Sequence, residues 1–202
     1  MVKNNFVKMN CKKNYSISFI DEKEQNYRLI LSTCKYDNSI QKFRSSLSNN
    51  EREIVKRFKI ISRQNEFIAG RMLTKNNVLL IREKLKPNKI NTISGVWGFP
   101  IFDTKEINKM WVSIAHSKEY AASLLSEVGT HPIGVDIEEI SPENDATLAF
   151  FLSKYKKSFS LEEKYIYWAS KEAVSKALRT GFTISEDFFE ISEITVNNAF
   201  YK

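Results

Sequence analysis

A helix over Leu161–Leu178 sets the terms for this fold. Tyr165, Trp168, Ala169, Glu172 and Lys176 recur close to one face of it, so another layer must cover that side while charge stays on display. Upstream the period changes. Residues 15–33 alternate or run apolar (Tyr15 to Phe19, then Tyr27 to Ser32) and read as two strands joined by a polar turn. Trp111 to Ala115 reads as a strand. Residues 120–128 tolerate a helix by composition, yet their place between that strand and the Gly129 turn favours a hairpin partner. Ile133 to Ile137 reads as a short buried-type strand ending in acids, and residues 189–196 as a last strand. Ser48 and Glu51 have capping-box spacing, after which Ile54, Phe58 and Ile61 recur at helical intervals. A further helical stretch covers residues 66–74, where Gly70 is odd because glycine costs about 1 kcal/mol relative to alanine in a helix interior. Residues 94–102 read as a turn feeding a short extended piece.

A length of 202 residues allows one ordinary domain or two small halves packed together. A hydrophobic content of 42% with 27% charged residues argues against disorder. There is no run of eighteen apolar residues, which excludes a transmembrane helix, and no membrane association is expected. The first thirteen residues lack the apolar core and cleavage site of a signal peptide, so a cytoplasmic location is expected. Cys11 and Cys34 are too few and too poorly spaced for a disulfide framework or a thiolate metal site. The net charge of +7 is uneven: from His131 onward 8 basic residues face 12 acidic ones, and before it 23 face 12. Such asymmetry suits a protein that meets a polyanion with one face and a metal with another. Nucleic acid, a phosphorylated cofactor or an acidic protein would each serve. The best boundary falls near residues 129–132, dividing the chain into 1–130 and 131–202.

Two segments carry chemistry. In Gly-Val-Asp-Ile-Glu (134–138) the acids Asp136 and Glu138 are two apart, so on a strand they present carboxylates on one face. Paired acids repel unless a proton or cation lies between them, and hard oxygen donors suit Mg²⁺. Taken alone, the pair reads more readily as a solvated strand end. In Trp-Ala-Ser-Lys-Glu-Ala-Val-Ser-Lys (168–176), Glu172 and Lys176 share a helix face, which by itself is a surface ion pair worth a few tenths of a kcal/mol. Lys171 neighbours that face.

Together and in this order, the two segments resemble the signature blocks of the 4′-phosphopantetheinyl transferases of the surfactin-synthetase-activating type. Phe-Ile-Ala-Gly-Arg-Met-Leu (67–73), Trp-Gly-Phe-Pro (97–100), Val-Ser-Ile-Ala-His-Ser (112–117) and Gly-Phe-Thr-Ile-Ser (181–185) extend the resemblance to about residues 60–196. The resemblance implies an α+β fold of two pseudo-symmetric halves, each a small antiparallel sheet on a long helix, acting as a monomer. It implies transfer of 4′-phosphopantetheine from coenzyme A to a serine of an acyl- or peptidyl-carrier protein, with release of 3′,5′-ADP. Asp136, Glu138 and Glu172 would ligate Mg²⁺, or Mn²⁺ in its place. Glu172 would help deprotonate the serine, and Lys176 would neutralise or protonate the leaving group. Arg71, His116, Ser117 and Lys171 would contact coenzyme A phosphates.

The sequence departs from that pattern at two places. Phe99 stands where a lysine is expected, and Ala115 where a serine precedes the histidine. Lys75, Arg63 or Lys105 are candidates to supply the missing cation. The segment from Asp136 to Trp168 is short for the type, and so is the part after Glu172. A degenerate relative that binds coenzyme A or a carrier protein without transfer is therefore an alternative. A nucleic-acid-binding module is a minor one, because no RNP, zinc-finger or basic-helix signature is present and the lysines are scattered, so no nucleic-acid partner is expected.

Overall fold

The computed structural model describes residues 11–20, 26–129, 132–152 and 159–180. Strands β1 (Cys11–Ile20) and β2 (Asn26–Lys35) form an antiparallel hairpin, as their alternation predicts. β5 (Trp111–Ser117) and β6 (Tyr120–Ser126) form a second one, which settles residues 120–128 as strand. β2 pairs with β6, giving a four-stranded antiparallel sheet in the order β1-β2-β6-β5. A small ladder of β3 (Thr92–Ser94) and β4 (Pro100–Phe102) brackets the turn at 95–99. The fold is thus mixed helix and antiparallel sheet, α+β as expected.

Helix α1 (Asn49–Arg57) starts at Ser48 with the capping box read from the sequence. It ends sooner than the helical spacing suggested. Phe58 caps it in extended conformation, and Ile61 opens α2 (Ile61–Leu79). α2 also exceeds the predicted 66–74, because its last turns bury Thr74, Lys75, Asn76 and Asn77, residues that break an apolar pattern. Those polar groups find partners across the sheet. Asn77 Nδ2 donates to Ile30 O at 3.3 Å and Ser123 O at 3.0 Å, and its Oδ1 accepts from Ser32 Oγ. Thr74 Oγ1 lies 2.9 Å from Ser123 Oγ. Gly70 is explained by proximity: a Cβ there would lie 2.6 Å from Ile114 Cγ2 on β5.

Around this polar seam lie two apolar clusters. Cys34, Leu47, Val55, Ile68, Met72 and Leu73 pack at one end, and Ile30, Val78, Ile90, Phe102, Val112 and Leu125 at the other. Burying a side chain of this size stabilises by about 1.5–3 kcal/mol, so the helix is held mainly by its contact with the sheet. In the second part, α3 (Asp145–Phe151) packs on α4 (Leu161–Leu178), whose bounds match the sequence reading. Ser160 and Glu163 form its capping box. Residues 133–137 are not assigned as a strand. Val135 N–H donates to Ser113 Oγ at 3.1 Å rather than to a ladder carbonyl. The strand expected over 189–196 lies outside the described residues. Among those described, no helix is long and apolar enough to cross a membrane.

Candidate functional site

Gly134 brings the acidic segment against α4. A Cβ at this position would lie 1.8 Å from Ala173 O, so only a glycine lets the backbone run this close to the helix. Two residues on, Asp136 is 6% exposed at its side chain and meets Lys176 across 40 residues of sequence, Nζ to Oδ1 at 2.5 Å. Its other oxygen, Oδ2, is buried and makes no hydrogen bond among the described residues. Burial pushes the Asp136 carboxyl above its ordinary value, against the pull of Lys176. Glu138 is also pushed up, first by burial and then by Asp136, with hydrogen bonds from Ser117 and Trp168 offsetting part of the rise. Ser117 Oγ donates to Glu138 Oε2 at 3.0 Å and accepts from Glu139 N–H at 3.2 Å, tying the end of β5 to the acids.

One residue earlier on β5, His116 turns toward a cavity of about 330 Å³. Arg63, Arg71 and Glu66 give this cavity its charge, His116 adds an imidazole, and Phe58, Phe67, Pro100 and Ile114 give it an apolar wall. Arg71 stacks on the Phe67 ring, 4.6 Å from guanidinium carbon to centroid. Its Nε is buried and makes no hydrogen bond among the described residues. Arg63 pairs with Glu66 at 2.6 Å, and His116 Nδ1 lies 3.8 Å from the same carboxylate. Burial lowers the His116 pKa, Glu66 opposes that, and Arg63 and Lys176 add to the lowering. At neutral pH the ring is therefore uncharged and offers a hydrogen bond rather than a cation. Because Lys176 acts on His116, and His116 acts on Asp136, the cavity and the acidic segment form one electrostatic neighbourhood.

Arg71 and His116 thus line one cavity, and Ser117, Asp136, Glu138 and Lys176 gather beside it. Glu172 is half-buried on α4, and no cluster of three or more His, Cys, Asp or Glu side chains disposed to hold a metal forms among the described residues. Lys171, the other expected phosphate contact, is buried at 3% exposure. Of the three proposed substitutes for the missing lysine, Lys75 is 1% exposed and locked to Glu51 at 2.7 Å, while Lys105 lies on a short turn over Lys105–Ile107. Arg63 alone of the three lines the cavity. Phe99 instead carries Arg179, whose guanidinium sits 4.6 Å from its centroid and 3.6 Å from that of Trp111. Sequence reading missed Glu66 and Arg179. The i,i+3 spacing of Arg63 and Glu66 was the available signal for the first; nothing local signals the second.

Two hard carboxylates, one with an unpartnered buried oxygen, fit a divalent cation that keeps several waters and takes its remaining ligands from phosphate. That is a two-residue fit, with Glu172 not drawn in.

Residues 132–201 match the family model of the 4′-phosphopantetheinyl transferase superfamily. The matched third of the chain holds Asp136, Glu138, Lys171, Glu172 and Lys176, and over it the resemblance read from the sequence is borne out at superfamily level. No curated protein matches the chain. Among solved structures, a holo-(acyl-carrier-protein) synthase from Bacillus anthracis str. Ames in complex with CoA (3′,5′-ADP) is 26% identical, covering 48% of this chain and 92% of that one. Its TM-score is 0.42, a superposition too loose to build on.

Proposed function

We propose that this protein transfers 4′-phosphopantetheine from coenzyme A to a carrier-protein serine, in the manner of the surfactin-synthetase-activating type, as a cytoplasmic monomer. The observation that carries the reading is Asp136: a buried carboxylate on the stretch that matches the superfamily, held by Lys176 through one oxygen and left open at the other. The basic cavity beside it is of the kind a phosphorylated ligand needs.

In this reading Arg71, Arg63 and neutral His116 bind phosphate groups of coenzyme A, and the apolar wall of the cavity excludes water around them. Ser117 orients Glu138. Mg²⁺ or Mn²⁺ held by Asp136 and Glu138, with Glu172 as a third donor, would offset the charge of the pyrophosphate. Glu172 accepts the proton of the acceptor serine, directly or through a water, because a serine hydroxyl is a weak nucleophile. The serine oxygen forms a bond to the phosphorus bearing pantetheine as the bond to the departing phosphate breaks. Lys176, within reach of the acidic segment, stabilises that departing 3′,5′-ADP or gives it a proton. Lys171, buried on the same helix, is a further candidate contact to coenzyme A phosphate.

The test is mass spectrometry of apo acyl-carrier and peptidyl-carrier proteins after incubation with this protein, coenzyme A and Mg²⁺. The expected outcome is a gain of one phosphopantetheine per carrier, abolished by Asp136→Ala and by Glu172→Ala. No gain across several unrelated carriers, with coenzyme A bound, overturns transfer and leaves a binding protein.

A further inference from the structure

Arg71 reaches the cavity from a buried ionic cluster that the transfer chemistry does not use. Behind it lies Glu51, whose side chain is fully buried. Four donors hold that carboxylate: Ser48 N–H at 2.9 Å, Thr92 Oγ1 at 2.5 Å, Thr92 N–H at 3.3 Å and Lys75 Nζ at 2.7 Å. Lys75 in turn donates to Pro87 O at 3.0 Å and to Ile90 O. Arg71 Nε stops 3.9 Å from Glu51 Oε1, too far for a hydrogen bond, and finds no other acceptor among the described residues.

One acid therefore faces two cations. Glu51 and Lys75 neutralise each other through a short, direct contact, and the charge left over belongs to Arg71. A buried, uncompensated guanidinium is costly unless an anion meets it. Its open direction is the cavity that it lines with Arg63 and His116. Were Lys75 absent, Glu51 would carry a free charge 3.9 Å from Arg71 and would draw the guanidinium back.

We infer that the buried Glu51–Lys75 pair positions Arg71: Lys75 neutralises Glu51 so that the Arg71 charge is presented to a phosphate in the cavity. The inference rests on reading that cavity as the coenzyme A phosphate site, and it makes Lys75 a positioning residue that never touches the ligand. It also gives the sequence-derived idea of Lys75 as a compensating cation a different sense, since Lys75 acts through Arg71 rather than by direct contact.

Calorimetric titration with 3′,5′-ADP separates the possibilities, with circular dichroism on each variant to verify folding. Lys75→Met should weaken binding by about tenfold to a hundredfold, as expected when a charge-assisted contact to phosphate is withdrawn. Removing both members, Glu51→Gln with Lys75→Met, should return affinity to within about threefold of the wild type, because the coupling lies between the two sites. A purely structural role predicts no such recovery in affinity. Folded Lys75→Met protein with wild-type affinity overturns the inference, and so does a double variant as weak as the single one. Should Lys75→Met not fold, Lys75→Gln takes its place in the same comparison: a tenfold or greater loss of affinity that added Glu51→Gln restores supports the inference, and wild-type affinity overturns it. Arg71→Ala is the separate control. Unchanged affinity there sinks the phosphate reading of the cavity itself, and the inference with it.

Discussion

Two acid–lysine pairs in this molecule, Glu51 with Lys75 and Asp136 with Lys176, are built to opposite ends. In the Glu51–Lys75 pair both side chains are buried and the carboxylate is bonded by backbone, hydroxyl and ammonium. In the Asp136–Lys176 pair the lysine reaches toward solvent at 29% exposure and one carboxylate oxygen has no hydrogen-bond partner among the described residues. Burial raises the proton affinity of both acids. For Glu51 the attraction of Lys75 and its hydrogen bonds win, leaving the carboxyl below its ordinary value. For Asp136 burial wins. A fully bonded pair serves as a structural joint, whereas the open oxygen of Asp136 is where the proposed function places a ligand.

Substitutions should pull the two apart. The largest effect on stability is expected at the first pair: Glu51→Gln leaves the Lys75 ammonium buried without a counter-charge, which should lower the unfolding free energy by about 3–5 kcal/mol in denaturant melts. Asp136→Asn should do the reverse, changing stability by no more than about 1 kcal/mol while reducing carrier modification by about a hundredfold or more. A melt that shows Asp136→Asn as damaging as Glu51→Gln would erase the distinction.

Acid should divide the pairs as well. The folded-state pKa of Glu51 lies below 4.5, so the unfolded chain takes the proton more readily and this site loses stability as pH falls below that value. The folded-state pKa of Asp136 lies above 3.8, so the native state takes the proton first. Its penalty is relieved as pH falls from neutral through the raised value, and relief is complete near 3.8. Metal-free unfolding curves from neutral pH down to about 4 should therefore show a gain in the wild type that Asp136→Asn reduces, the remainder coming from Glu138, whose carboxyl is also raised by burial. The smallest effect sharpens the boundary between the two regions. Arg179→Ala removes the stack on Phe99 and Trp111 and should cost about 1 kcal/mol, measurable by thermal melting.

Much of this was legible in the sequence where the signal is local. Alternating or continuous apolar runs mark β1 and β2, Trp111 to Ala115 reads as the strand that β5 forms, and the Leu161–Leu178 helix has the bounds its sequence predicts. The Ser48–Glu51 capping box was read correctly as a cap, but not as a hub. The other partners of Glu51, Lys75 and Thr92, lie 24 and 41 residues away and carry no mark in the sequence that they meet. α2 was underestimated for the same reason, since Lys75 and Asn77 look like the end of an apolar helix until their acceptors are seen. At the site, Asp136 and Glu138 were singled out by spacing, but their division of partners, Lys176 for one and Ser117 for the other, depends on how Gly134 seats the segment on α4.

The polar seam between α2 and the sheet has a bearing on durability. Asn77 ties the helix to carbonyls of both β2 and β6, and Thr74 meets Ser123 in the same layer. Peeling the helix away would strand these groups in an apolar interior, so α2 and the central strands open together or not at all. Arg71 stands one turn before this fastening. An anion bound at Arg71 would be held by a part of the molecule that yields only when the helix and the central strands do.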